Sequence, residues 1–334
     1  MQHVRGRLVV ALAGFGGLLL MTLVCAPLLG TTTISLSRAF DRSIPFADNP
    51  DAQIFFVARL PRILAAALVG GSLALAGAIF QALLRNPLAT PDTLGVSSGA
   101  ALGAMLAIAF HFDFAIAGLS SISLSSLAGS IGALAIVYML ATARRRGLST
   151  TVLLLAGVTM TAFFSALTLF VQYVSNFADT FRTVRWLMGA LDVGSYTPLM
   201  AALPLMVMAF AMAVPLPRPL DLISLGADAA AARGVDVPRA ERLALVSASL
   251  LTGAAVSISG PVAFVGLVVP HIVRLVIGSD HRLVLPASAL FGATFLIGCD
   301  LIARTLFSPV ELPVGIVTAI IGGPFFLWLL VRRN

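Results

Sequence analysis

Few residues in this chain could do covalent or proton chemistry, and the missing types decide as much as the present ones. All 21 basic residues are arginine, and there is no lysine. That removes the lysine of a P-loop, Schiff-base chemistry and a lysine general base. The chain therefore hydrolyses no ATP through a Walker motif of its own. Four histidines, at 3, 111, 271 and 281, show no metal-ligand spacing. Cys25 and Cys299 each lie in an apolar run, so no disulfide framework is implied. The notable charges inside the apolar segments are Asp300 and Arg304, which share a helix face at i,i+4. They form either a structural pair that makes the helix end insertable or part of a proton relay. A relay wants further Glu or His on neighbouring helices, and none is found, so the structural pair is the preferred reading.

The elements that must carry these residues are membrane spans. Of 334 residues, 59% are apolar and only 10% charged, against roughly 25% charged in an ordinary soluble domain. Such a chain has too little polar surface to face water, which excludes a cytosolic enzyme, a nucleic-acid module and a disordered chain. A crossing helix needs about 20 mainly apolar residues, because the hydrocarbon core is about 30 Å thick. Ten segments qualify: 8–28, 63–84, 94–110, 119–141, 152–174, 197–214, 243–258, 262–277, 283–306 and 314–331. The seventh and eighth are short and close together, which leaves open one span plus a re-entrant piece. Arg5 and Arg7 before the first segment resemble a signal peptide, but the run is long and lacks an Ala-x-Ala site, so it reads as an anchor helix. With both termini inside, 14 arginines fall on the cytoplasmic side, including 144–146 and 333, and 7 on the outside. That bias agrees with the positive-inside rule. The net charge of +7 is spread between hydrophobic segments, which suits an anionic membrane surface better than nucleic acid.

Residues 1–334 read as one transmembrane domain with two notable loops. Residues 175–196 form an external loop whose amphipathic run is too short to cross and should lie at the interface as a helix. Residues 215–242 form the largest internal loop. There Pro217 and Pro219 break the preceding helix, Ser224 can cap a short helix over 225–233, and Gly234 can end it. A faint internal repeat places Gly77 ten residues before Pro87 and Gly260 ten before Pro270. Runs such as Gly70, Gly71, Ala74, Ala76 and Gly77 predict close helix packing.

Three stretches resemble one family. They are Arg59-Leu60-Pro61-Arg62 with Gln81-Ala82-Leu83-Leu84-Arg85-Asn86-Pro87-Leu88-Ala89 and Leu94-Gly95-Val96-Ser97-Ser98-Gly99; Gly260-Pro261-Val262-Ala263-Phe264 through Pro270-His271-Ile272-Val273-Arg274 and Asp280-His281-Arg282; and Asp300 to Arg304 with Glu311-Leu312-Pro313-Val314-Gly315 and Gly323-Pro324. In this order, from about Arg59 to the end, they are similar to the iron-chelate and cobalamin permeases of type II ABC importers. The resemblance implies an all-α fold of about ten transmembrane helices and a homodimer in the bacterial inner membrane. It also implies two ATP-binding subunits, which hold the ATP and Mg, and a periplasmic substrate-binding protein. This chain would bind no cofactor or metal of its own and would do no covalent chemistry.

Carried over residue by residue, Arg59, Arg62 and Arg304 match arginines that dock the binding protein. Leu225, Gly226, Ala229, Ala230, Arg233 and Gly234 match the coupling helix that seats in the ATPase. Asn86, Pro87, Leu88, Ser149 and Thr150 match the cytoplasmic gate. The run 181–191, with Arg182, Arg185 and Trp186, resembles a periplasmic gating helix. The implied function is import of a large metal chelate, haem or ferric siderophore, with cobalamin as the alternative cargo and an ATP-independent carrier or channel as a more distant reading. Arg182 and Arg185 would favour anionic cargo such as haem propionates.

Overall fold

The computed structural model describes residues 2–143 and 150–332; Arg144, Arg145, Arg146 and Ser149 lie outside the described residues. Each of the ten segments coincides with a helix. Six are long and apolar enough to cross alone. These are α1 (Gln2–Cys25), α2 (Leu60–Leu83, continuing a turn of π-helix over Ile54–Arg59), and, after the shorter α3 (Val96–Ala109), α4 (Ser121–Thr142) and α5 (Thr150–Val174), then α10 and α12 below. An 11-residue amphipathic helix α6 (Phe177–Leu187) comes next, then α7 (Thr197–Ala213), α8 (Pro217–Ser224) and α9 (Ala227–Ala231). The chain ends with α10 (Val237–Ser259), α11 (Val265–Ile277), α12 (His281–Thr305) and α13 (Val314–Arg332). A two-residue hairpin, β1 (Ala115–Ile116) with β2 (Leu119–Ser120), turns the chain between α3 and α4. The ends that the arginine bias places outside and inside are called outer and inner below.

The seventh and eighth segments are a full span and a partial one. Asp236 accepts a hydrogen bond from the Arg239 amide (3.1 Å) and caps α10 well before the apolar run begins. The helix therefore extends 23 residues. Helix α11 has only 13, about 20 Å at 1.5 Å per residue, and a non-helical stretch from Gly260 to Phe264 precedes it. Gly260 (φ 66°) ends α10 in a conformation that side chains resist. Helix α3, with 14 residues, is likewise short; a non-helical approach and a 3-10 turn at Pro91–Leu94 lead into it. The ten-residue Gly–Pro spacing does not mark a structural repeat, because Gly77 lies within α2 and Pro87 outside any helix, while Gly260 ends a helix and Pro270 lies within one.

Helix α2 is the hub. Of its hydrophobic window, 83% is buried, against 6% for α1 at the lipid-facing edge. It packs on α12, α10 and α11. The approach is backbone to backbone: a Cβ on Gly70 would come within 2.3 Å of the Gly292 carbonyl, and one on Gly77 within 1.9 Å of the Gly266 carbonyl. In lipid, where no hydrophobic force draws helices together, such contacts and the dispersion they permit hold a bundle.

Gly70→Leu should therefore lower the thermal midpoint of the purified protein in detergent markedly, since overpacking alone costs about 1–3 kcal/mol and here it meets backbone. Gly132→Leu, at a position with nothing within 4 Å of the new carbon, should leave the midpoint nearly unchanged in the same thermal scan.

Candidate functional site: outer arginine cluster, inner coupling loop and central cavity

At the outer end, the helix pairing that makes the hub brings Arg62 on α2 to Asp300 on α12. The Arg62 Nε donates to Asp300 Oδ1 (2.9 Å) and Oδ2 (3.2 Å), and its Nη1 to Glu311 Oε2 (2.5 Å). Asp300 is 1% exposed. The i,i+4 pair expected from the sequence is a minor contact: Arg304 Nε stands 3.8 Å from Asp300 Oδ2 and is buried without a hydrogen-bond partner. Arg304 instead donates from Nη2 to the Ala26 carbonyl (2.9 Å), and Arg59 from Nη1 to the Pro27 carbonyl (2.7 Å) and from Nη2 to the Thr32 carbonyl. Arg59 and Arg304 are both buried. They grip the end of α1, whose start is tied by Arg7 Nη2 to the Ile277 carbonyl (2.7 Å). Of the three arginines assigned to docking, Arg62 alone reaches the surface, beside the half-exposed Glu311.

At the inner end, the short helix assigned to 225–233 is in fact two. Pro217 at N1 starts α8, whose axis is bent 54° from that of α7. Ser224 closes α8, donating to the Asp221 carbonyl (2.7 Å), and does not cap the next helix. The break falls at Leu225 and Gly226 (φ 126°), a backbone that needs glycine. The five residues of α9 then end before Gly234 (φ 83°). Leu225 is 66% exposed and Ala229 partly so, whereas Ala230 is fully buried against Ile223, Val237 and Ala240. Arg233 Nη1 donates to the Ala229 carbonyl (3.4 Å). The loop is fastened to α12: Asp221 Oδ1 accepts from His281 Nδ1 (2.6 Å) and from the His281 amide (3.0 Å). Next to it Asp280 caps α12 and accepts from Arg282 Nη2 (2.6 Å), which holds its carboxyl below the usual carboxylate range.

Between these ends the chain is broken twice. Asn86 accepts from the Leu88 amide (3.0 Å), an Asx turn that starts the non-helical descent of Pro87 and Leu88. Leu88 is 45% exposed, and Thr150 opens α5. Gln81 and Arg274, from α2 and α11, are hydrogen-bonded, and Gln81 Nε2 also donates to the Gly266 carbonyl (3.2 Å). The second break, at Gly260–Phe264, borders a cavity of about 610 Å³ that also meets Asp92, Met188 and the start of α13.

The external helix lies four residues earlier than the run 181–191, because Asn176 caps it by accepting from the Asp179 amide (2.9 Å). Arg182, Arg185 and Trp186 line a separate cavity of about 280 Å³. There Arg185 pairs with Asp192 at 3.2 Å. Three features escaped sequence reasoning: the Arg62–Asp300 pairing, 238 positions apart, the Asp221–His281 tie, and Asp92. The Asp280-His281-Arg282 motif was visible, but its partner Asp221 was not.

Comparison with known proteins decides what kind of protein carries this arrangement. The FecCD transport family profile matches residues 18–332. The chain belongs to the FecCD family. Among FecCD relatives, the hemin transport system permease protein HmuU of Yersinia pestis is 39% identical over 321 residues, 95% of this chain and 95% of that one. The cobalamin import system permease protein BtuC of Halobacterium salinarum is 42% identical over 301 residues, 90% of this chain and 79% of that one. A metal-chelate type ABC transporter solved in an inward-facing conformation superposes with a TM-score of 0.83 at 33% identity, covering 96% of this chain and 98% of that one. The all-α, multi-pass FecCD permease fold is thereby established, and the chain is a permease subunit of the metal-chelate, haem, siderophore and cobalamin class of ABC importers.

Breaking the outer cluster separates buried from exposed charge. Asp300→Ala strands buried guanidinium and should destabilise by about 3–5 kcal/mol. Glu311→Gln, at the rim, should cost under about 1 kcal/mol. Denaturant or thermal unfolding of the two variants in detergent measures the contrast.

Proposed function

We propose that this chain is the membrane subunit of an ATP-driven importer that carries a large metal chelate, haem or ferric siderophore, from periplasm to cytoplasm. It works as a homodimer in the bacterial inner membrane with both termini cytoplasmic, alongside two ATP-binding subunits and a periplasmic binding protein. The observation that carries the reading is the near full-length superposition on a metal-chelate type ABC transporter. The lack of lysine agrees with ATP chemistry on another polypeptide. A cobalamin cargo is the second reading, favoured by the 42% identity to a cobalamin permease.

In this reading α8 and α9 are the coupling element, with Leu225 and Ala229 presented to the ATPase and Ala230 holding the loop's own small core. Asn86, Pro87 and Leu88, with Ser149 and Thr150, form the inner gate, and α6 with Arg182, Arg185 and Trp186 covers the outer entrance. Docking relies on the Arg62–Glu311 rim, and Arg59 and Arg304 support it from beneath by fixing α1. Binding of ATP by the partner subunits moves α8 and α9, and the Asp221–His281 tie passes that motion to α12.

Proteoliposomes holding this chain alone should take up no hemin or ferric siderophore, and those with the ATPase and binding protein should do so only with ATP. Uptake without any ATPase overturns the reading. Arg62→Glu should weaken binding-protein docking at low salt by tenfold or so and less at high salt, measured by surface plasmon resonance. Ala229→Trp should leave ATP turnover within about twofold while uptake falls at least tenfold, a split that Ala230→Trp would blur by damaging the loop's core.

A further inference from the structure

The central cavity holds a carboxylate that no role described above uses. Asp92 lies in the 3-10 turn Pro91–Leu94. Its carbonyl accepts from Thr161 Oγ1 (3.1 Å), and Thr161 sits near the middle of the 25-residue α5. A Cβ on Gly157 would come within 2.3 Å of the Thr93 carbonyl, so the turn is pressed against α5 at mid-bundle depth. Yet the Asp92 side chain is exposed. An acid at that depth is costly against lipid and persists where it faces a water-filled path. Ser97, in the first turn of α3, donates to the carboxylate, which also sits beside the positive end of that helix. The hydroxyl favours the ionised form, and desolvation by the surrounding helices, the larger effect, opposes it.

The surroundings sharpen the point. The cavity wall is otherwise apolar or small, formed by Met188, Val262, Ile316, Ala319 and Ile320 among others. Asp92 is the one ionisable side chain among its lining residues described. Arg182 and Arg185, which suggested an anionic cargo, line a different cavity in which Asp192 offsets one of them.

We infer that Asp92 is a specificity-determining residue of the transport path: it makes the mid-membrane lumen negative, so that cationic or neutral, donor-rich chelates pass in preference to polyanionic ones. The inference rests on the importer reading for what passes, but the negative potential itself can be measured without any cargo.

The test uses the full chain in lipid nanodiscs with Cys25→Ser and Cys299→Ala, which remove both native thiols, and with Ala319→Cys on the cavity wall. The introduced thiol is reacted with trimethylammonium-ethyl and with sulfonato-ethyl methanethiosulfonate, each rate taken relative to a free thiol in solution. With Asp92 present the cationic reagent should be favoured about fivefold or more, and Asp92→Asn should remove most of that bias. A bias unchanged by Asp92→Asn overturns the inference. Ferrioxamine B, a trihydroxamate ferric chelate with a free ammonium, should slow the labelling at least threefold more than ferric dicitrate does, and Asp92→Asn should narrow the gap. Equal protection by the two chelates overturns the charge preference. Failure of the importer reading would show separately, as uptake that needs no ATPase.

Discussion

The contact on which the rest depends is the backbone-to-backbone approach of α2 to α12 at Gly70 and Gly292, continued to α11 at Gly77 and Gly266. Side chains of any size at these points would force the helices apart, because packed interiors yield little. The outer cluster is a consequence of this approach: with α2 and α12 in contact, Arg62 reaches Asp300 through two short hydrogen bonds. The anchoring of α1 depends on it in turn. The buried guanidinium groups of Arg59 and Arg304 take the carbonyls of Pro27, Thr32 and Ala26 as acceptors, which also satisfies backbone groups left open past the end of that helix.

Helix α12 thereby joins the outer charge cluster to the inner loop. Its first residue, His281, is hydrogen-bonded to Asp221 of α8, and its last turns hold Asp300 and Arg304. A 25-residue helix spans about 37 Å, enough to link a loop on one membrane face to a charge cluster on the other. Its packing along α2 supports both ends on the same pair of helices. A displacement of α8 is therefore resisted, or transmitted, by the same glycine contacts that fix the fold.

Much of this was legible in the sequence, and the parts that were not have a common cause. Hydropathy runs located every span, since lipid imposes a length on apolar helices, and small-residue runs announced the close approach of α2. Motif order along most of the chain identified the family. Details set by local caps were misplaced by a few residues: Asn176 starts α6 earlier than amphipathicity suggested, and Gly226 splits the inner loop where a single helix was expected. The charge constellations were read least well. Asp300 was paired with its neighbour in sequence, whereas its principal partner comes from another helix. Arg59 and Arg304 were read as surface groups and lie inside. Local spacing states which residues share a helix face; which face meets which is a property of the packed bundle.

That distinction also governs how charge at membrane depth should be interpreted. Asp300 and Asp92 are both carboxylates on or beside spans, and residue type alone treats them alike. Asp300 is enclosed by guanidinium groups and 1% exposed, so its charge is consumed internally and contributes little field beyond the cluster. Asp92 has a hydroxyl for company and an open cavity before it, so when ionised its field is focused into that cavity by the low-dielectric walls. Of the outer arginines, Arg38, Arg62 and Arg185 are paired with carboxylates, and Arg59 and Arg304 are directed at carbonyls. The potential inside a cavity is therefore set less by the net charge of +7 than by which ionised group stands unneutralised at its wall.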